Sequence, residues 1–387
     1  MFLTSLDITN IRNFQSKQCE FSRGITLFIG PNAAGKTNLL EAIHLLSNLR
    51  SFRTHALRET IQWDEREAYI RGIIQSGGRE QDGGGNPKTL AVGLKANARI
   101  PAINSKICKS SKDYLRILPS ATFVPDDLSL VKGAPAFRRY FLDHGTFQFF
   151  PAYWALLTDY NRVLQQKNAL LKTSQKKPDA KFDAACDVWD AQLQALGSKI
   201  IVARLDFLSR LRRQIQEVYA RWLGTDETAA LRYECSLGIP AEEIEIFCLN
   251  ESELERHALQ RIANCYEQAI ARHRDRERRL GVTLIGPHRD DLDVLSNGRL
   301  LRAYGSQGQQ RTAVLAMKLA EIQVYYEQYG EYPILLLDDV TSELDMQRNT
   351  KLFEYLQQGM QVFLTATDRF ALGGLPCEVV EILRNGS

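Results

Sequence analysis

Apolar positions recur along this chain with two different periods, and the switch between them divides the sequence into three stretches. In the first, alternation and short apolar runs prevail. Leu6, Ile8 and Ile11 mark an opening strand, and Tyr69 to Ile74 and Thr89 to Leu94 read as two more. Ile25 to Ile29 is a continuous apolar run that passes through Gly30 into Leu39, Leu40, Ile43 and Leu46 at helical spacing, so a parallel strand feeding a helix is predicted. The tract Gly77 to Gly85 is too rich in glycine for the interior of an element and reads as a flexible hairpin tip.

From about Phe147 to Leu280 the period becomes helical. Trp189, Leu193, Leu196 and Ile200, then Leu205, Leu208, Leu211, Ile215, Val218 and Trp222, mark one amphipathic helix of several turns. An earlier helix carries Leu156, Leu157, Tyr160 and Leu164; Lys172 to Pro178 separates the two, which predicts an antiparallel helical hairpin. A third helical stretch runs from Ser252 to Leu280 and ends in the arginine-rich Arg272 to Arg279. Strand texture returns after Gly281, in Val282 to Ile285, Pro333 to Asp339 and Gln361 to Thr365. The two ends of the chain therefore read as halves of one α/β domain, residues 1–120 plus 281–387, with a mainly helical insertion over 121–280.

Composition narrows the class without changing this picture. A length of 387 residues implies roughly two or three domains, and 44% hydrophobic with 25% charged residues is ordinary for a globular protein. There is no apolar run long enough to cross a bilayer, and the start lacks the basic region and apolar core of a signal peptide, so a cytoplasmic location is expected. Seven scattered cysteines without CxxC or metal-ligand spacing read as ordinary reduced thiols. A net charge of +3 provides neither a nucleic-acid arm nor an acidic tail, so any polyanion must meet a local patch.

The chemistry concentrates in three short motifs. Gly30-Pro31-Asn32-Ala33-Ala34-Gly35-Lys36-Thr37 matches GxxxxGK[ST] in the context that the motif requires, with Asn38 next in the helix. Backbone N–H groups there can wrap a diphosphate at a helix N-terminus, Lys36 can neutralise the β and γ phosphates, and the Thr37 hydroxyl can sit on Mg²⁺. The bland alternative is a glycine turn with a solvated lysine. Ile334 to Asp338 is an apolar strand that delivers a carboxylate at its C-terminal edge, where ligands of α/β sheets bind. Asp338 is the candidate for holding Mg²⁺ through water, and Asp339, expected to point the other way, is the candidate general base. The third motif, Tyr304 to Thr312, opens a helix with Ser306-x-x-Gln309. By itself that is a capping box, but its free N–H groups and positive helix end also suit an anion.

At these residues the chain resembles a known family. GPNAAGKT, SQGQQR, LLLDDV and Ser342-Glu-Leu-Asp345 stand in the order of the phosphate loop, signature loop, metal strand and D-loop of an ATP-binding-cassette ATPase. The helical insertion aligns the resemblance with heads of the structural-maintenance-of-chromosomes (SMC) type. More narrowly, LDITNIRNF, Ser51-Phe-Arg53, Phe123 to Asp127, Arg138 to Asp143, Gly286 to Asp291 and YGSQGQQRT are similar to the RecF family of recombination and gap-repair proteins.

The resemblance implies an α/β P-loop head with an inserted helical arm, using ATP and Mg²⁺ and binding single- and double-stranded DNA at junctions. It implies a homodimer formed on ATP and slow hydrolysis, with RecR and RecO as partners and a functional link to RecA. It places Ser306, Gly308 and Gln309 on the γ-phosphate of the opposite chain, and Arg12 and Asn13 at the nucleotide. Asp339 departs from the wider cassette pattern, where glutamate is usual, and Thr367 stands where a histidine is common; both imply slow turnover. Candidate DNA contacts are Arg50, Arg53, Lys106, Lys109, Lys112, Arg138, Arg139 and the arginines of 272–279. Competing readings are an ATPase subunit energising a membrane transporter, and a repair nuclease or long tether. The late position of SQGQQR counts against the first. The lack of a further metal cluster, a CxxC hook or a long arm counts against the second.

Overall fold

The computed structural model describes residues 1–75, 86–173, 180–223, 228–248, 252–340, 346–357, 359–367 and 376–383. The 77–85 tract and Ser342 to Asp345 lie outside the described residues. The described residues fall into two compact units, one of 1–127, 220–225 and 315–387, the other of 128–219 and 226–314.

The first unit holds two sheets. Alternating strands make a six-stranded antiparallel sheet from β1 (Phe2–Ile11), β2 (Phe14–Glu20), β4 (Glu67–Gln75), β5 (Lys88–Lys95), β6 (Ala98–Ile103) and β7 (Lys106–Ile107), in the order β2-β1-β4-β5-β6-β7. In β4, Ala68, Ile70, Gly72 and Ile74 are buried while Glu67, Tyr69, Arg71 and Gln75 face outward, the two-residue period of a half-covered sheet. Helix α1 (Lys36–Asn48) packs onto the buried face so closely that a Cβ at Gly72 would lie 2.6 Å from Leu46 and 2.7 Å from Leu3.

The second sheet is parallel throughout and takes strands from both ends of the chain. It orders β14 (Glu378–Glu381), β3 (Ile25–Ile29), β13 (Val362–Ala366), β12 (Ile334–Asp338) and β8 (Ser120–Phe123). Every residue of β3, β8, β12 and β13 is buried, as expected for continuous apolar strands covered on both faces. The short α2 (Ser111–Leu115) and the amphipathic α11 (Met346–Leu356) complete this unit.

The second unit is mainly helical. It contains α3 (Ser129–Lys132), α4 (Pro135–Phe149), α5 (Tyr153–Thr173), α6 (Ala180–Val218), α7 (Ala241–Cys248), α8 (Ser252–Leu280) and α9 (Leu301–Tyr304), with a sheet ordered β11 (Arg299–Leu300), β10 (Asp291–Ser296) and β9 (Ala229–Glu234). Helix α10 (Gln307–Tyr329) begins here. Leu193, Ile200, Leu205, Leu208, Leu211 and Ile215 form one buried stripe of α6, as their spacing predicts, with Leu196 half-buried beside it. The interior also carries charge: Lys167 pairs with Asp190 at 2.5 Å and Glu277 at 2.6 Å, and Arg204 pairs with Asp143 at 2.7 Å and donates to the Pro287 carbonyl at 2.8 Å.

The boundary between units differs from the expected one. Residues 281–314 belong with the helical unit, because β10 pairs with β9 and because Arg138, Arg139 and Arg204 bind the 287–291 segment. The strand β9 was not expected at all.

Candidate nucleotide site

Three positive φ angles shape the loop between β3 and α1. Gly30 has φ 153°, and a Cβ there would sit 2.3 Å from the Ile382 carbonyl oxygen; Gly35 has φ 112°, and its Cβ would strike Asn13 and Phe14. Ala33 adopts φ 66°, a left-handed conformation that costs a non-glycine residue about 1 kcal/mol. The loop is braced by Asn13, whose Nδ2 donates to the Ala34 carbonyl at 3.0 Å and whose Oδ1 accepts from Asn38 at 2.8 Å. No side chain caps the first turn of α1 and no acidic residue lies in it, so its N–H dipoles are left to an anion.

This loop borders a cavity of about 350 Å³, also lined by Arg53, Asp338, Asp339, Thr365 and Thr367. Lys36 arches over the loop, its Nζ donating to the Gly30 carbonyl at 2.6 Å and the Pro31 carbonyl at 3.2 Å. Thr37 Oγ1 donates to Asp338 at 2.9 and 3.1 Å, and Thr365 Oγ1 donates to the same carboxylate at 2.8 Å. Asp338 is 8% exposed; burial pushes its carboxyl above the usual aspartate range and Asp339 adds to that, while Thr365, Thr37 and Arg53 oppose it. Such a carboxylate gains from a cation. Thr37 and Asp338 offer the hard oxygens that Mg²⁺ prefers, from few enough protein groups to leave positions for phosphate and water, so the ion fits. Among the described residues no three His, Cys, Asp or Glu side chains gather into an all-protein metal cage.

Three residues stand in settings that the sequence reading did not anticipate. Asp339 does not turn away from Asp338: its φ of 51° breaks the strand alternation after β12, its N–H binds Thr365 Oγ1 at 2.9 Å, and both carboxylates line one cavity. Arg12 grips the fully buried Glu41 of α1 with two bonds of 2.8 and 2.7 Å and donates to the Glu59 carbonyl. Arg53, expected among the DNA contacts, instead lines the cavity and binds Asn38 at 2.7 Å. Its only sequence signal was its place in Ser51-Phe-Arg53.

The second loop forms its capping box. The Ser306 N–H donates to Gln309 Oε1 at 2.9 Å and the Gln309 N–H to Ser306 Oγ at 3.2 Å. The buried Gln310 fixes the turn by donating to the carbonyls of Leu301 and Gly305. Ser306, Gln307 and Gly308 are exposed, and a Cβ on Gly308 would meet nothing nearer than Ser306 Oγ at 3.9 Å. Capping uses an acceptor lone pair of Ser306 and leaves its O–H able to donate.

Several basic residues expected on a DNA surface are structural. Arg138 is 3% exposed and binds Asp291 through two bonds of 2.7 and 2.9 Å; Arg139 donates to the Asp290 carbonyl; Arg274 and Arg278 pair with Asp183, and Arg274 also with Asp187. Arg50, Lys106, Lys109, Arg276 and Arg279 are exposed, and Lys112 is half-buried.

Comparison with known proteins adds a family context. A family profile described as the RecF/RecN/SMC N terminal domain matches residues 2–373. The DNA replication and repair protein RecF of Bacillus subtilis (strain 168) is 37% identical over 367 residues, 95% of this chain and 93% of that protein. The namesake of Geobacillus thermodenitrificans (strain NG80-2) is 37% identical over 368 residues, again 95% and 93%. A solved structure of the recombination mediator protein RecF with ATP, in the RecFOR pathway, superposes with a TM-score of 0.85 at 30% identity, covering 98% of this chain and 95% of that one. An SMC head bound to the C-terminal winged-helix domain of ScpA shares the fold, with a TM-score of 0.54 at 13% identity over 100% of this chain and 95% of that one.

Proposed function

This chain belongs to the RecF family of the RecF/RecN/SMC class, and from that membership we propose that it is an ATP-binding protein of DNA replication and repair that works as a switch. ATP occupies the cavity beside the phosphate loop, and two copies then close so that Ser306, Gly308 and Gln309 of one reach the γ-phosphate held by the other. The closed dimer binds DNA at single-strand to double-strand junctions, acts with RecR and RecO to place RecA in the cytoplasm, and opens on slow hydrolysis.

The observation that carries this reading is Gly308. Glycine in a helix costs roughly 0.5–1 kcal/mol relative to alanine, yet among the described residues nothing needs the space that its missing side chain leaves. A body that approaches from outside does need it, and the Ser306 O–H and the positive end of α10 favour an anion there. In the phosphate loop, Lys36 and the uncapped N–H groups of α1 hold the phosphates. Thr37 and Asp338 would hold Mg²⁺, which when bound neutralises phosphate charge. Asp339, one methylene shorter than glutamate, orients and deprotonates the attacking water at long reach, which favours slow turnover.

Particle mass and DNA affinity, measured with and without a non-hydrolysable ATP analogue, test the switch. Mass should double and DNA affinity rise with the analogue; unchanged mass sinks the reading. Ser306→Arg should leave analogue binding by the single chain intact and abolish the mass change. The transporter reading would need analogue-independent mass, DNA-independent turnover and recovery with membranes. No helix among the described residues is long and apolar enough to cross a membrane.

A further inference from the structure

A carboxylate lies beneath the cavity and outside the machinery described so far. Glu41 is fully buried in α1, five residues beyond Lys36, and two arginines converge on it unequally. Arg12 forms a fork of 2.8 and 2.7 Å, whereas Arg53 stands at 3.7 Å, too long for a hydrogen bond, and spends its own bond on Asn38 at the rim of the cavity. Ser51 Oγ donates to Glu41 at 2.5 Å and in turn accepts from the N–H groups of Arg53 at 2.9 Å and Thr54 at 3.1 Å. One carboxylate thus sets both the backbone turn that carries Arg53 and the charge against which its guanidinium is balanced.

We propose that Glu41 is a positioning residue that holds Arg53 in reserve, so that a nucleotide entering the cavity competes with Glu41 for that cation and thereby moves the 51–60 segment. The inference rests on the reading of the cavity as an ATP site. Arg12 remains with Glu41, because a bidentate pair keeps a buried carboxylate compensated. Arg53 is the movable partner, being 43% exposed and bound on this side only by Coulomb attraction at 3.7 Å. Arg12 Nη1 also donates to the Glu59 carbonyl at 2.5 Å and its backbone N–H to the Thr60 carbonyl at 3.0 Å, so the far end of the segment is anchored and the release of Arg53 acts on the stretch between. Nucleotide occupancy is then reported beyond Arg53 itself, along the rest of the 51–60 segment.

The test turns on a sign. A carboxylate with a purely structural role weakens nucleotide binding when it is neutralised; one that competes for Arg53 strengthens it. Titration of a fluorescent, non-hydrolysable ATP analogue at low protein concentration should give binding about threefold or more tighter for Glu41→Gln. Glu41→Asp should lie near the unaltered chain, and Glu41→Gln combined with Arg53→Ala should lose the gain. No tightening, or tightening that survives Arg53→Ala, overturns the proposal. Hydrogen exchange on the unaltered chain covers the case in which Glu41→Gln fails to fold. The analogue should change protection over residues 51–60 as well as 30–37, and unchanged protection over 51–60 overturns the proposal alone. Absence of any analogue binding would instead count against the ATP site itself.

Discussion

Lys36 and Arg53 divide the cationic chemistry of the cavity. Lys36 is a compact ammonium already in contact with two loop carbonyls, and phosphate can replace those contacts without moving the backbone. A planar guanidinium at 36 cannot occupy that point, so Lys36→Arg should weaken binding of the ATP analogue on the order of tenfold, with thermal stability nearly unchanged; the two are checked by titration and thermal melting. His288 makes a different kind of prediction. Burial pushes its imidazole down to about 4 from an ordinary 6.5, nearby Arg289 and Arg139 add to this, and a bond to the Thr283 carbonyl opposes it. The neutral ring accepts from Tyr160 at 2.7 Å. A histidine depressed in the folded state contributes stability that is complete above pH 6.5 and is lost as pH falls toward 4, here about 3 kcal/mol in all. Urea midpoints between pH 7.5 and 5 should fall, and His288→Gln should flatten that fall. That the phosphate loop and Asp338 meet at one cavity was legible because each motif fixes spacing and chemistry together. Arg12, Arg138 and Arg53 were not, because an arginine's partner lies up to about 150 residues away and sequence does not say which carboxylate it meets.

Among the elements, α10 carries the clearest test of the proposed dimer. Its capping box explains how the helix starts, and Gly308 is a defect that capping does not explain. Gly308→Ala should therefore raise the stability of the isolated chain slightly, by about 0.5 kcal/mol, while weakening analogue-dependent dimerisation, so the two measurements move in opposite directions. If both improved together, the open space would have no function. Helix α6 and strands β3, β12 and β13 were readable from period and length. Strand β9 was not: its Ala-Ala-Leu-Arg-Tyr-Glu alternation spans six residues between helical stretches, and β10, its partner, lies nearly sixty residues later. The carboxylates of Asp338, at the end of β12, and Asp339, just after it, share one cavity for a similar reason, since the left-handed turn at Asp339 lies outside any alternation rule.

At the scale of the whole molecule, sequence period marks an insertion over 121–280, whereas the compact units divide near 127 and 315. Residues 281–314 look like strand and helix of the α/β type, yet their bonds run to Arg138, Arg139, Arg204 and β9. Polar networks decide that boundary, and hydrophobic patterning does not record them. The parallel sheet has a consequence of its own. The strand that launches the phosphate loop, β3, is flanked by β13 and β14, both drawn from beyond residue 361. On the ribosome, the loop therefore stays without these sheet neighbours until residues 362–381 have emerged. A nascent chain halted near residue 330 should fail to retain an ATP analogue that the full chain binds, so the phosphate loop becomes competent only after its later sheet neighbours arrive.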